Sequence, residues 1–374
     1  MKILMISTDR TLLTTESGDA LSRHLEYAKH AGCIDIIVFS KRNFNERTGD
    51  HLIIHPTNSL TKLNYVFDAF KIIKNLNEFD LIVAQDPFLT SLIGWLIKKK
   101  FNIPLLIHFH GDFWENKYWL SKPKKWWHLF WYNGLLLILS KFLIKKADGI
   151  RVVSSGIKEK LIRAGINKDK IRIIPTPVDL VKFENYDYDR VKEQKKIHEN
   201  CKTIINVGLR DPWAKDYKTL FKAIDLVCEK YGKIAFWQVG ANLRLSDNIK
   251  FNNIILSSTY KIEQKELTNY YHASDIYVSS SCNESFGKVL VEAMVCGLPV
   301  VATATTGSKD IVVEGENGFL VPIGNSEALA KKIVYLLNNP EIAKKMGMEG
   351  QQMVKKRFNR EKIIKEIIFL RHKK

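Results

Sequence analysis

Glu284 and Glu292 stand eight positions apart in Ser281–Thr306, SCNESFGKVLVEAMVCGLPVVATATT. Hydrophobic patterning puts Glu284 just past a strand and Glu292 about two turns into a helix that starts near Gly287. Two carboxylates at that spacing cannot work as an adjacent acid and base; they can hold two parts of one extended ligand. Gly287 permits backbone to approach such a ligand closely, and the first N–H groups of the helix then point at it. Arg210 and Lys215 are five apart in Val207–Lys218, VGLRDPWAKDYK, in a loop after another expected strand. Cations fixed in a loop favour an anion, and stabilise charge that grows in a transition state more than charge already present. Each pair alone also fits a bland reading, two solvated glutamates or a solvated basic loop. The flanking residues decide between the readings.

The elements that must position these groups are short, β-branched apolar runs separated by helical stretches. Strands are expected at Lys2–Ser7, Asp35–Ser40, Leu52–His55, Leu81–Gln85, Leu105–His110 and Ile150–Ser154, with helices at Leu21–His30, Leu63–Leu76, Thr90–Lys99 and Ile157–Ala164 between them. Continuous apolar runs suit parallel strands covered on both faces. Pro175–Arg190 has proline, charge and turn residues without a period and reads as a linker. Alternation resumes with strands at Thr203–Gly208, Ile234–Gly240, Asn253–Leu256, Ile276–Ser281 and Pro299–Thr303. The helices of this half are expected at Tyr217–Tyr231, Lys265–His272, Gly287–Cys296, Glu327–Leu337 and Ile342–Arg357, followed by a basic amphipathic helix at Arg360–Arg371. This is an α/β chain with two doubly wound halves, and such sheets bind ligands at the carboxyl ends of their strands.

The 374 residues exceed what one core serves, roughly 250–300, so two domains are expected. A net charge of +18 implies an anionic partner: nucleic acid, a membrane surface or a phosphorylated substrate. Five scattered cysteines without CxxC spacing argue against a disulfide framework or a zinc site and fit a reducing compartment. MKILMIS is too short an apolar run for a signal peptide and leads into Thr8, Asp9 and Arg10. Asp187–Tyr188–Asp189 has a metal-binding D-x-D pattern, but it falls in the linker and reads as solvated chain, so no metal and no cofactor is expected.

The glutamate pair followed by Ala293–Met294 and Gly297–Val300 resembles the retaining GT-B glycosyltransferases of family four, also called group 1. The resemblance covers nearly the whole chain, more strongly after Val207. It implies a GT-B fold, two doubly wound Rossmann-like domains facing across a cleft. An acceptor-binding domain would span residues 1–180 and a donor-binding domain residues 190–357, with 358–374 packing back toward the first. The implied activity is metal-independent transfer of a hexosyl group from a nucleotide sugar, a nucleoside diphosphate sugar, to an acceptor hydroxyl. Glu284 would contact the donor sugar hydroxyls and Glu292 the ribose hydroxyls. Ser285, Phe286, Gly287, Lys288 and Val289 would meet sugar and diphosphate. Arg210 and Lys215 match the family's R-x4-K pair and would stabilise the departing diphosphate, although Asp216 stands where many relatives have glycine. His110, before Gly111 in PLLIHFHGD, resembles the histidine at the active-site end of the fifth strand; His108, two residues earlier, reads as a core histidine. Gly18 lies in the first strand–helix connection, where relatives usually have Gly-Gly and this chain has Ser17–Gly18, and it suits close approach of a phosphate or sugar.

Phe113–Lys146 holds five of the eight tryptophans and seven lysines against a single acid, Glu115. Lysine with tryptophan is the composition of an interfacial membrane segment. The apolar run Leu129–Leu139 is shorter than the ~20 residues needed to span a bilayer, so contact with an anionic membrane surface is expected rather than a crossing. That places the protein in the cytoplasm, peripheral on the inner face of the membrane, with a glycan or lipid-linked acceptor from surface polysaccharide assembly. Other readings are an epimerase or phosphorylase on the same fold, a non-catalytic GT-B partner subunit, and a nucleic-acid-binding protein using its basic aromatic surface. Nucleic acid is not the expected partner, because the charge is not confined to one module.

Overall fold

The computed structural model describes residues 1–14, 18–41, 43–76, 78–114, 134–197, 201–208, 212–240, 254–259 and 264–370. The chain divides into two units, Met1–Pro177 together with Glu361 onward, and Val178–Arg360.

In the first unit eight strands form one sheet: β1 (Lys2–Ser7), β2 (Cys33–Val38), β3 (Arg47–Gly49), β4 (Leu52–Pro56), β5 (Leu81–Ala84), β6 (Leu105–Phe109), β7 (Gly149–Val152) and β8 (Ile171–Ile173). Their order is β3-β4-β2-β1-β5-β6-β7-β8, parallel throughout except for the β3–β4 pair. Runs such as Ile3–Ile6 and Leu81–Ala84 are buried along their whole length, which helices on both faces require. The closing helix Arg360–Ile368 buries Ile363, Ile364, Ile367 and Ile368. The second unit is a six-stranded parallel sheet of β9 (Lys202–Val207), β10 (Ile234–Val239), β11 (Ile254–Thr259), β12 (Ile276–Ser279), β13 (Val300–Thr303) and β14 (Gly318–Val321), ordered β11-β10-β9-β12-β13-β14. Its core packs Ile204, Phe236, Val278 and Val301 against Leu220, Ile224, Leu329, Ile333 and Leu336 from two helices. In both units the strand order reverses beside the first strand, at β1/β5 and at β9/β12. A doubly wound sheet opens a crevice at that point.

Several boundaries differ from expectation for local reasons. The strand expected at Asp35–Ser40 starts at Cys33, directly after Gly32 ends the preceding helix with φ 102°. The strands β3, β8 and β14 have three or four residues each, too few to show a period. Pro175–Arg190 is not featureless. Val181–Glu184 forms a helical turn that buries Phe183, and a second helix runs over Tyr188–Ile197. Asp187 is not merely solvated: its Oδ1 accepts from Arg190 N at 3.1 Å and caps that helix, while its own N–H donates to Asn269 at 3.0 Å. Among the described residues no helix is long and apolar enough to cross a membrane.

Candidate functional site

In the second unit Glu284 and Lys215 meet. Glu284 follows β12 and Lys215 follows β9, the adjacent strands at the reversal of strand order. Lys215 Nζ donates to Glu284 Oε2 at 2.8 Å, and the two side chains are 15% and 23% exposed. Backbone holds the two loops together: Cys282 N donates to Ala214 O at 2.8 Å, and Ser280 Oγ to Lys215 O at 2.6 Å. The Glu284 carbonyl accepts from Gly307 N at 2.8 Å and from Thr306 Oγ1 at 3.0 Å. Gly307 must be glycine here, since a Cβ would lie 2.5 Å from the Phe286 carbonyl.

Ser285 is half-buried; Phe286 is buried and packs edge-on against Phe358 with ring centres 5.6 Å apart. Gly287 adopts φ +96°, a conformation that L side chains resist, and begins the helix Lys288–Val295 without a side-chain cap. The positive end of the helix dipole lies at this turn, a place that favours an anion. Lys288 and Val289, on the first turn, are half-buried. Glu292 is not solvated but buried at 5% exposure. Tyr271 OH donates to its Oε2 at 3.2 Å, and Lys288 Nζ stands 3.8 Å from its Oε1. Burial first, then the charge of Glu292, pushes the Tyr271 phenol well above its ordinary value, so it stays a donor to the carboxylate. Nothing in the sequence marked Tyr271, which lies 21 residues away on another helix, or Thr306 and Gly307, which hold the Glu284 backbone.

The residue after Lys215 adopts a glycine-like backbone. Asp216 has φ 44° and ψ 57°, and aspartate tolerates that region better than most residues. Its carboxylate also caps the helix Tyr217–Tyr231, accepting from Thr219 N at 3.3 Å and Thr219 Oγ1 at 2.6 Å. Arg210 lies outside the described residues.

In the first unit His110 is exposed just past β6, with Nε2 bonded to Gln85 Oε1 at 2.7 Å. A neutral histidine donates this bond, which fixes its tautomer. His108 is buried, as a core residue would be, but neither ring nitrogen has a hydrogen-bond partner. Gly18 precedes the helix Asp19–Ala31 in ordinary extended backbone, φ −166°, so its conformation does not require glycine. Most of the basic aromatic segment, residues 115–133, lies outside the described residues. Of the rest, Trp114 donates to Ser140 Oγ at 2.9 Å, and the helix Gly134–Lys146 exposes Leu135, Ile138 and Phe142.

The family of glycosyl transferases group 1 matches residues 187–353, and glycosyltransferase family 4 matches residues 21–182. An uncharacterized glycosyltransferase of Methanocaldococcus jannaschii, MJ1069, is 28% identical over 80% of this chain and 75% of its own. Among solved structures, sucrose-phosphate synthase from Thermosynechococcus elongatus aligns with a TM-score of 0.76 at 22% identity, over 98% of this chain and 97% of that one. The Anabaena protein Alr3699/HepE, solved with UDP and glucose, aligns with a TM-score of 0.73 at 19% identity over 98% of each chain. Both structures have the GT-B fold of two parallel-sheet, Rossmann-like domains.

Proposed function

Because the chain belongs to the group 1, family 4 glycosyltransferases, we propose that it moves a hexosyl group from a nucleoside diphosphate sugar to an acceptor hydroxyl, with retention at the anomeric carbon. The observation that carries this reading is the Lys215–Glu284 pair at the β9/β12 reversal, beside the start of the helix Lys288–Val295. Glu284 holds the sugar hydroxyls, and Glu292, fixed by Tyr271, holds the ribose hydroxyls. Lys215 and Arg210 hold the diphosphate, together with backbone from Ser285 to Val289. In the transfer step the bond from the anomeric carbon to the phosphate oxygen breaks and the bond to the acceptor oxygen forms on the same face. The acceptor's proton passes to the departing diphosphate. The charge that grows there is met by Lys215, Arg210 and helix amides, which is where fixed dipoles lower a barrier most. This stabilisation needs no metal ion. In the first unit, His110, held by Gln85, and Gly18 are the groups assigned to the acceptor. The neighbour solved with UDP and glucose supports a uridine nucleotide as the first donor to try.

The acceptor we propose is a lipid-linked glycan or glycolipid of surface polysaccharide assembly. The exposed Leu135, Ile138 and Phe142 share a helix with Lys141, Lys145 and Lys146, a pattern suited to the surface of an anionic membrane. The protein would then work at the cytoplasmic face. The test is release of nucleoside diphosphate from UDP-sugars in the presence of membrane lipid extracts. Glu284→Ala should lower turnover by about 10²–10³-fold with an unchanged melting temperature; near-normal turnover would remove the site assignment.

A further inference from the structure

Beneath the helix Asp19–Ala31 in the first unit lies a group of polar side chains that the donor chemistry does not use. Arg151 of β7 stands beside His108 of β6 in the sheet register. Both are 1% exposed, and His24 of the covering helix is 5% exposed. The Arg151 guanidinium donates to the carbonyls of Ile174 at 3.0 Å and Pro175 at 2.6 Å, and Tyr27 lies near it. No carboxylate pairs with it among the described residues. The nearby Arg23 is already held by Asp19 at 3.2 Å, and Asp9 is occupied by Thr11. His24 Nδ1 donates to Ala20 O at 2.7 Å, which leaves Nε2 without a partner, and both nitrogens of His108 lack one. The group reaches the surface through His110, whose ring centre is 5.5 Å from that of His108.

A buried cation without a counter-ion and three buried ring nitrogens without partners are each costly, because water that solvated them has been lost and nothing replaces it. One anion would answer all of them. Arginine presents a planar fork of donors that matches oxyanions, and histidine nitrogens supply further donors once protonated.

We propose that Arg151, His108 and His24 form a buried site for an oxyanion, a phosphate or carboxylate group, on the acceptor. Calling the anion part of the acceptor rests on the transferase reading; its binding does not. Burial holds both histidines neutral, His24 at about 4 and His108 well below its ordinary value, with Arg23 and Arg151 adding to the effect. Binding of an anion therefore draws protons onto the rings and tightens as pH falls. The other groups facing the cluster are Tyr27, His110, Asp9 and Asp19.

The test follows histidine ring proton signals by NMR in the full-length protein while inorganic phosphate or acetate is added, with sodium chloride at matched ionic strength as control. Saturable movement of the His24 and His108 signals is expected. If phosphate acts at the lower concentration, the acceptor carries a phosphate; if acetate does, a carboxylate. Arg151→Met should weaken the response at least tenfold, as should His108→Asn if the first variant does not fold. Ring signals that stay still with both anions, or an unchanged affinity in a folded variant, would overturn the site whether or not the protein transfers sugar. Loss of transfer with intact anion binding would instead count against the function proposed above.

Discussion

At the scale of single residues, the Lys215–Glu284 contact links two positions that the sequence separates by 69. Each was legible from its own motif, and the helix start at Gly287 was legible from the apolar pattern. Their direct pairing was not, because it depends on β9 and β12 lying side by side. Lys215→Ala should lower kcat by about 10²–10³-fold, the range for losing one fixed group opposite a developing charge; steady-state kinetics with saturating donor would show it. Glu292→Ala should act differently. A carboxylate that holds ribose contributes to binding in ground and transition states alike, so KM for donor should rise with a smaller change in kcat. The buried histidines carry a pH signature. His24 titrates at about 4 in the folded chain against 6.5 unfolded, so between those values the unfolded chain takes up a proton that the folded chain does not. Stability is therefore unaffected by this group above pH 6.5 and falls as pH drops below it, by roughly 1.4 kcal/mol per pH unit. Melting temperatures at pH 7 and pH 5 should differ, and His24→Gln should reduce that difference.

At the scale of elements, the turn between Lys215 and the helix Tyr217–Tyr231 keeps a left-handed backbone of the kind glycine favours, with aspartate at that position. Asp216 accepts a left-handed backbone, at a cost of roughly 1–2 kcal/mol, and returns a cap bond to Thr219. Asp216→Gly should leave stability within about 1 kcal/mol, since relief of the backbone offsets the lost cap. Asp216→Ala keeps the backbone cost and loses the cap, and should destabilise by about 1 kcal/mol; thermal unfolding of the pair would separate the two effects. Long elements were readable because their periodicity is long: the helix Tyr217–Tyr231 begins and ends where its apolar spacing does. The strands Arg47–Gly49 and Ile171–Ile173 were not, because three residues at a sheet edge carry no period and are specified by the strand they pair with. Asp187, read as solvated chain, turned out also to cap a helix. A solvated aspartate and a helix cap look alike in sequence, and only the hydrogen bond from Arg190 N distinguishes them.

At the scale of the whole molecule, the charge of +18 favours anionic ligands. The proposed diphosphate at Lys215, oxyanion at Arg151 and lipid surface at the helix Gly134–Lys146 would be three separate uses of positive charge. Binding to vesicles should require anionic lipid and weaken with salt, since each basic residue near such a surface contributes about 1 kcal/mol and the attraction decays within a Debye length. Ile138→Asp with Phe142→Asp should remove it by placing charge on the exposed apolar stripe; vesicle sedimentation would read the effect, and equal recovery on neutral vesicles at high salt would argue against it. The doubly wound architecture of both halves was legible from the alternation of apolar runs with helical periods. The identity of the sugar was not, because pocket shape rather than any motif sets it. The central claim is that the second unit grips a nucleoside diphosphate sugar through Glu284, Lys215 and Glu292. Calorimetric titration of the wild-type chain with UDP-glucose and related nucleotide sugars tests it most directly. Saturable binding of at least one donor, weakened tenfold or more by Lys215→Ala and by Glu292→Ala, is the predicted result; a donor that binds both variants as tightly as the wild type would contradict it.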